Sequence, residues 1–318
     1  MTTPENEPQW ERQLLEKFAL AMLQEQRVKR RWGIFFKLIG FSYLLAVLLL
    51  FVDWGGGSEK LVNGKHTALV HINGTIASGG EGSAESINEA LRSAFDDKET
   101  AGVVLRVNSP GGSPVQAGIV HDEIRRLRSK HPQISLYVVV EDLCASGGYY
   151  VAVAADKIFV DKASIVGSIG VLMDGFGFTG TMDKLGVERR LLTAGVNKGF
   201  LDPFSPQDAE QKKHAQVLLG EIHRQFIEVV RQGRGERLKE TPEMFSGLMW
   251  TGTQSIQLGL ADDLGTVESV AREVIKAERI VDFTIKENIA ERFAKRLRAD
   301  AAQGAGSLLG AIAWPALR

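Results

Sequence analysis

Short, almost wholly apolar runs alternate with amphipathic stretches over the middle of this 318-residue chain. Central runs such as V-V-L-R-V and S-L-Y-V-V-V lack the polar alternation of a half-exposed strand, which is typical of strands buried on both faces. We predict strands at residues 67–72, 102–107, 134–140 and 157–160. We predict helices at residues 83–96 and 115–129, in a stretch after 146, and at 206–232. This alternation predicts an α/β fold with a mostly parallel sheet that is covered by helices.

A second constraint lies near the N-terminus, where residues 34–52 form an apolar run that contains one charge, Lys37. A helix of this length spans about 28 Å, close to the hydrocarbon thickness of a bilayer. Trp32 and Trp54 flank the run as interfacial aromatic residues do. We therefore predict a transmembrane helix at residues 34–54. The alternatives are a buried core helix, which would show a polar face, and a cleaved signal peptide, which would end in an Ala-x-Ala pattern.

The basic residues around this run predict its orientation. Four Lys or Arg residues crowd positions 27–31, whereas only Lys60 and Lys65 follow soon after the run. The positive-inside rule then places residues 1–33 in the cytoplasm as an N-terminal arm. We expect a single-pass protein of the inner (plasma) membrane in which the chain after residue 54 is periplasmic or otherwise extracytoplasmic.

The rest of the chain divides by composition. Residues 55–65 are rich in glycine and polar residues and predict a flexible linker. Residues 66–280 carry the strand and helix pattern and predict one folded domain. Residues 281–318 combine a basic amphipathic stretch with small apolar residues, and we expect a C-terminal extension there.

Composition argues against several kinds of partner. Lys and Arg total 38 against 39 Asp and Glu, and the resulting net charge of −1 gives no reason to expect nucleic acid. The single cysteine, Cys144, cannot form an intramolecular disulfide, so the fold must depend on packing. We predict neither a cofactor nor a metal site.

Two glycine turns each follow a predicted strand: N-S-P-G-G at residues 108–112 and C-A-S-G-G at residues 144–148. Because strand ends of a parallel sheet share one edge, the amides of Gly112 and Gly147 could surround one substrate oxygen. Ser146 at a strand-to-helix turn has the placement of a nucleophile in an elbow. The alternative is that Ser146 is only the N-cap of the following helix.

A serine nucleophile needs a proton acceptor within hydrogen-bond reach. No histidine lies between His131 and His214, the stretch expected to wall the site. A lysine can act as the base if apolar surroundings lower its pKa from ~10.4 to about 7–8. Spacing alone leaves four candidates open: Lys157, Lys162, Lys184 and Lys198.

Five motifs in order resemble the signal peptide peptidase A family, peptidase family S49 of the ClpP/crotonase-like superfamily. They are N-S-P-G-G at 108–112, A-S-G-G-Y-Y at 145–150, A-D-K-I-F at 155–159, V-G-S-I-G-V at 166–171 and G-V-N-K at 195–198. The resemblance covers about residues 66–265. It implies a serine peptidase with a ClpP/crotonase-like repeated ββα superhelix core.

The resemblance also implies roles for individual residues. The nucleophile of the family corresponds to Ser146, and its general base, a lysine in a later loop, corresponds to Lys198. The serine that helps to hold the lysine amine corresponds to Ser168. The oxyanion donors of the superfamily map to Gly112 and Gly147.

For function, the resemblance implies hydrolysis of remnant signal peptides or similar apolar peptides through an acyl-enzyme. It further implies a ring-like homo-oligomer in which the serine and the lysine meet across a subunit boundary. Two other functions remain open. A crotonase-type acyl-CoA enzyme would share the fold but need cytoplasmic coenzyme A and a carboxylate acid–base. A non-catalytic membrane scaffold would keep the fold without turnover.

Overall fold

The computed structural model describes residues 64–285, a helical segment at residues 29–45, and the single positions Lys17 and Met22. The predicted transmembrane helix at 34–54 therefore lies partly outside the described residues, which stop at 45 and resume at 64. No helix in the described part of the chain is both long and apolar enough to cross a membrane. The transmembrane helix stays a prediction.

The other terminal predictions also fall mainly on residues that the structure does not describe. These are most of the N-terminal arm, nearly all of the linker, and the C-terminal extension from residue 286 onward. Residues 64–285 belong to one compact unit, which is the part of the molecule that carries the candidate site.

One sheet of eight strands organises residues 64–285. The strands are β1 His66–Asn73, β2 Thr100–Ser109, β3 Ser135–Ala145, β4 Lys157–Val160, β5 Ile165–Gly167, β6 Met249–Thr251, β7 Asp263–Leu264 and β8 Ile280–Asp282. Their order is β6-β5-β3-β2-β1-β8, with β4 paired to β3 and β7 paired to β4. β5 and β6 are antiparallel, and the other pairs are parallel. The predicted α/β class and mostly parallel sheet are confirmed, whereas the repeated ββα superhelix stays a prediction.

Helices connect the strands. They are α1 Ala84–Asp96, α2 Pro114–Lys130, α3 Gly147–Ala152, α4 Thr179–Leu185, α5 Ala209–Arg234, α6 Gly252–Gln257 and α7 Val267–Ser269, with a 3-10 turn at Gly235–Arg237 and a π-helix at Val270–Ile275. Ser83 and Ser113 cap α1 and α2, since each hydroxyl accepts a hydrogen bond from the backbone amide three residues on. The four predicted helices correspond to α1, α2, α3 and α5.

The central strands are buried on both faces, which explains why their sequences lack polar alternation. Leu105 of β2 belongs to the larger apolar cluster, together with side chains of α1, α2 and α3. Its neighbour Val104 belongs to a smaller cluster that includes Val267 and Val270. The sheet is therefore packed by apolar side chains on both faces, and this packing positions its strand ends.

A buried ion pair joins the end of α5 to the sheet. Arg234 is 1 % exposed and contacts both carboxylate oxygens of Asp262, at 2.8 and 2.9 Å. Its Nε also donates to the Gly259 carbonyl at 2.8 Å, while Asp262 accepts the Ile158 amide of β4 at 2.7 Å. Burial alone would raise the pKa of Asp262, but the hydrogen bonds and charge of Arg234 hold that pKa below its usual range.

Replacing Asp262 with alanine should lower the free energy of unfolding by about 3–5 kcal/mol, because the Arg234 charge would stay buried without a partner. Urea titration at neutral pH measures this difference. The control is Asp263→Ala, at an exposed neighbouring position, which should change stability by less than ~0.5 kcal/mol. Since the pKa of Asp262 is depressed in the folded state, the wild-type advantage should shrink as the pH falls below ~4. A loss below ~1 kcal/mol at neutral pH would contradict the uncompensated charge.

Candidate active site

The carboxyl ends of β2, β3 and β5 meet at one edge of the sheet. In the parallel register Ser109 lies opposite Cys144, and Ala145 lies opposite Gly167. The backbone amide of Ser146 then donates to the Gly167 carbonyl at 2.9 Å. Turns that are distant in the sequence are thereby brought together at this edge.

Ser146 sits on a strained backbone turn between β3 and α3. Its φ of 51° and ψ of −122° fall in a region that residues with a side chain rarely adopt. A positive φ at a strand–turn–helix junction is the strain expected of a nucleophile elbow. Ser146 occupies the N-cap position of α3, but its side chain makes no capping hydrogen bond. The alternative interpretation of its hydroxyl as a helix cap is therefore wrong.

The turn after β2 packs directly against the Ser146 turn. A Cβ atom at Gly111, where φ is 100°, would lie 2.6 Å from the Gly147 nitrogen and 2.7 Å from Ser146 Cβ. Only glycine permits an approach this close. A Cβ atom at Gly147 would in turn lie 3.3 Å from the Gly112 nitrogen. The backbones of Gly112 and Gly147 are therefore neighbours beside Ser146.

The amides of Gly112 and Gly147 are also both free to donate a hydrogen bond, as far as the described residues show. The amides on either side of Gly112 are engaged, since Gly111 donates to Ser109 Oγ at 3.1 Å and Ser113 donates to a backbone carbonyl at 2.8 Å. Within the described part of the chain, neither Gly112 nor Gly147 donates a hydrogen bond from its amide. Gly147 begins α3, where helical amides have no intrahelical acceptor. Two adjacent free donors beside a serine can bind an oxyanion.

Ser168 follows β5, directly after Gly167, which pairs with Ala145 in the register. Its φ is also 51°, and its amide donates to the Leu248 carbonyl at 2.7 Å. Gly167 before it packs under Trp250, because a Cβ atom there would lie 2.7 Å from the indole ring. The Ser146 and Ser168 hydroxyls form no hydrogen bond with any residue that the structure describes. Both hydroxyls are available to a group that approaches this edge.

Lys198 lies in the turn region between α4 and α5, away from these contacts. Its amide donates to the Gly195 carbonyl at 3.1 Å, and its side chain is exposed. The ammonium makes no hydrogen bond or ion pair among residues 64–285. Within one chain, the structure therefore does not bring Lys198 into hydrogen-bond reach of Ser146, and its role stays a prediction.

The segment around Lys198, residues 171–204, exposes many apolar side chains. α4 within this segment has no buried residue. The exposed large apolar residues of the segment are Leu172, Met173, Phe176, Phe178, Leu185, Val187, Leu191, Leu192, Val196 and Phe204. Leu192 and Val196 are each 96 % exposed. Exposed apolar surface on this scale marks an interaction site.

Three other candidate groups are buried or already engaged in a hydrogen bond. Cys144 is fully buried, and burial raises the pKa of its thiol, which suppresses the reactive thiolate. His121 contacts Asp122 at 3.1 Å, and His223 contacts the Ile169 carbonyl at 3.2 Å. Among the described residues, no group of three or more His, Cys, Asp or Glu side chains could hold a metal ion.

Sequence reasoning missed two contributors to the site. The Leu248 carbonyl, one residue before β6, and the Trp250 ring of β6 hold the Ser168 turn. A three-residue strand is too short for periodicity, and its pairing with β5 depends on residues about 80 positions away. The second contributor is Ser109, which the sequence indicates only as part of the N-S-P-G-G turn.

Comparison with known proteins identifies the family of the chain. The model of peptidase family S49 matches residues 128–281. A protein of Methanocaldococcus jannaschii provisionally named a protease is 32 % identical over 262 residues, which cover 78 % of this chain and 83 % of that protein. A protein of Enterococcus faecium provisionally named signal peptide peptidase SppA is 30 % identical over 237 residues, which cover 72 % of this chain and 68 % of that protein.

A third relative carries a different name. The Na(+)/H(+) antiporter NhaA of Brucella abortus is 45 % identical over 210 residues, which cover 64 % of this chain but 28 % of that protein. The alignment thus spans less than a third of the antiporter's length, and the name describes that whole protein. The family model and the protease relatives support a peptidase, and at the level of the family a serine peptidase. This chain belongs to peptidase family S49.

Proposed function

We propose that the protein is a membrane-anchored serine endopeptidase that hydrolyses remnant signal peptides or similar apolar peptides through an acyl-enzyme on Ser146. One observation carries the chemistry: an unengaged Ser146 hydroxyl on a strained turn lies beside the free amides of Gly112 and Gly147. Membership of the S49 family supports a peptide bond as the target. The relative named signal peptide peptidase supports the choice of apolar peptides.

The proposed reaction is acyl transfer in two steps. Ser146 Oγ attacks the peptide carbonyl while neutral Lys198 accepts the hydroxyl proton, and the carbonyl oxygen becomes an oxyanion between the Gly112 and Gly147 amides. Lys198 then returns the proton to the leaving amine, and the C–N bond breaks. Water attacks the acyl-enzyme by the same route and releases the acid. The Ser168 hydroxyl holds the lysine amine in place.

A second copy of the chain would complete this site. Lys198 is exposed in a single chain, and the Ser146 hydroxyl has no partner among the described residues. A ring-like homo-oligomer would cover the exposed apolar side chains of residues 171–204. The same contacts would exclude water around the lysine, and apolar surroundings favour the uncharged form of an amine.

The membrane anchor belongs to the same proposal. The apolar run at residues 34–52 and the basic cluster at 27–31 support a single inner-membrane helix at 34–54 with a cytoplasmic arm at 1–33. The peptidase domain at 66–280 then lies outside the cytoplasm.

Covalent labelling tests the proposed nucleophile. A fluorophosphonate or β-lactone probe added to the full-length, membrane-extracted protein should modify one residue, and mass spectrometry of the digest should locate it at Ser146. Heat-unfolded protein is the control, because labelling must depend on the assembled site. Labelling at another residue would point to a different nucleophile, and no labelling of protein shown to be folded would favour a non-catalytic scaffold or an acyl-CoA enzyme instead.

A further inference from the structure

Ser109 lies between the two turns that supply the free amides. It is the last residue of β2 and is completely buried. Its Oγ donates to the Gly74 carbonyl at 2.6 Å and accepts the Gly111 amide at 3.1 Å. A Cβ atom at Gly148, in the first turn of α3, would lie 3.2 Å from the Ser109 carbonyl oxygen and 3.3 Å from Ser109 Cβ. Ser109 therefore contacts both turns and the end of β1.

These contacts decide which amide of the turn stays free. Ile76 accepts the Ser113 amide at 2.8 Å, and its own amide donates to the Gly111 carbonyl at 2.8 Å. The Gly111 amide itself donates a hydrogen bond to Ser109 Oγ. Of the three successive amides at 111–113, that of Gly112 alone has no acceptor among the residues that the structure describes. Hydrogen bonds on both sides therefore hold the Gly112 amide in place, and among those contacts Ser109 contributes through its side chain while Ile76 contributes through its backbone.

We propose that Ser109 is a positioning residue for the oxyanion hole, and that its hydroxyl holds the Gly111–Gly112 turn so that the Gly112 and Gly147 amides face one oxygen. The inference rests on the proposed peptidase function. Without the hydroxyl, the buried Gly111 amide and the Gly74 carbonyl lose their partner. We expect the peptide group that carries the Gly111 amide to turn toward another acceptor. The Gly112 peptide group would then be held only through the Gly111 carbonyl, which accepts the Ile76 amide, and its amide would face the oxyanion less well.

The test compares Ser109→Ala with a matched control, Ser164→Ala. Ser164 is 2 % exposed and has the same pattern of contacts, since its Oγ donates to the Glu141 carbonyl at 2.6 Å and accepts the Asp161 amide at 2.9 Å. Both variants lose one donor and one acceptor in a buried place, so both should unfold at a lower temperature than the wild type. Only Ser109→Ala should alter the catalytic step.

For Ser109→Ala we expect kcat to fall about 10–100-fold, less than the loss of a whole donor, with KM within about 2-fold of wild type. A peptide aldehyde adds a readout, because its carbonyl carbon bonds to Ser146 Oγ, its oxygen takes the oxyanion position, and the hydroxyl proton passes to the base. Its inhibition constant should rise by about the same factor as kcat falls. Ser164→Ala should keep both constants within about 2-fold of wild type.

Equal effects of the two alanine variants on kcat and on aldehyde inhibition would overturn the proposal. If Ser109→Ala does not fold, Ser109→Cys keeps the size of the side chain with a weaker donor, and a kcat and aldehyde inhibition like those of wild type would overturn the proposal equally. Wild-type protein that neither cleaves peptides nor reacts with the aldehyde would instead contradict the peptidase function itself. The two failures are therefore distinguishable.

Discussion

Replacing Ser146 with alanine should abolish peptide cleavage, with kcat/KM falling at least ~10⁴-fold. The reason is that, among the described residues, Ser146 alone combines an unengaged hydroxyl at this edge with the neighbouring free amides of Gly112 and Gly147. Cys144 is fully buried, and burial raises the pKa of its thiol. Ser168 follows Gly167, the register partner of Ala145, but the free amides of Gly112 and Gly147 lie beside Ser146. The measurement is cleavage of an apolar fluorogenic peptide by the assembled protein.

A second substitution separates loss of chemistry from loss of fold. Ser146→Gly removes the same hydroxyl, but glycine tolerates the positive φ that serine holds at 51°. It should be as inactive as Ser146→Ala and should unfold at no lower temperature than the wild type, because the strain of the turn is relieved. Activity retained in both variants would point to another nucleophile. The matched control is Cys144→Ala, which should keep wild-type turnover if the fold is preserved.

Local sequence patterns were sufficient for the platform beneath this site. The predicted strand at 157–160 coincides with β4, and the predicted helices at 83–96 and 115–129 correspond to α1 and α2. These elements can be predicted from local sequence, because an apolar run, a capping serine or a proline at the helix start lies within or directly beside the element. β5 and β6 have three residues each, and long-range pairing defines them, so no local pattern could reveal them.

The local apolar pattern predicts only the first part of β3. Its apolar run ends at Val140, but the strand continues to Ala145. Glu141 and Asp142 interrupt the pattern because the pairing with β2 shifts register there, between Val107 and Ser109. An irregular stretch of this kind allows charged side chains within a strand and re-aims the residues that follow. The extra length carries the chain directly into the Ser146 turn.

Only part of the candidate site, too, could be predicted from the sequence. The two glycine turns and their meeting at one sheet edge follow from the rule for parallel strands. The positive φ of Ser146 does not follow from sequence, nor does the engagement of the Gly111 amide by Ser109, because both depend on tertiary contacts with β1 and β5. The surroundings of Lys198 could not be predicted either, since one folded chain leaves that side chain exposed.

Replacing Lys198 with arginine should lower kcat by about 10²–10⁴-fold, the range that a general base contributes. Arginine keeps the positive charge and a similar length, but a guanidinium does not deprotonate near neutral pH. The matched control is Lys184→Arg, at another exposed lysine of the same 171–204 segment, which should keep wild-type turnover. Full activity of Lys198→Arg would exclude this lysine as the base.

Mixing inactive protomers should then reveal whether one site draws on two chains. Consider a symmetric ring assembled from equal amounts of Ser146→Ala and Lys198→Ala protomers. A shared site is intact when a Lys198→Ala protomer supplies Ser146 and a neighbouring Ser146→Ala protomer supplies Lys198. This arrangement occurs at about a quarter of the sites, so about a quarter of wild-type activity should return. If both groups of a site came from one chain, every site would lack one of them and no activity would return. Because Lys198 is exposed and unpaired among the described residues, we expect recovery. Differently tagged protomers that co-purify through both tags establish that mixing occurred. The absence of peptide cleavage in that mixed population would contradict a site completed by a neighbouring subunit.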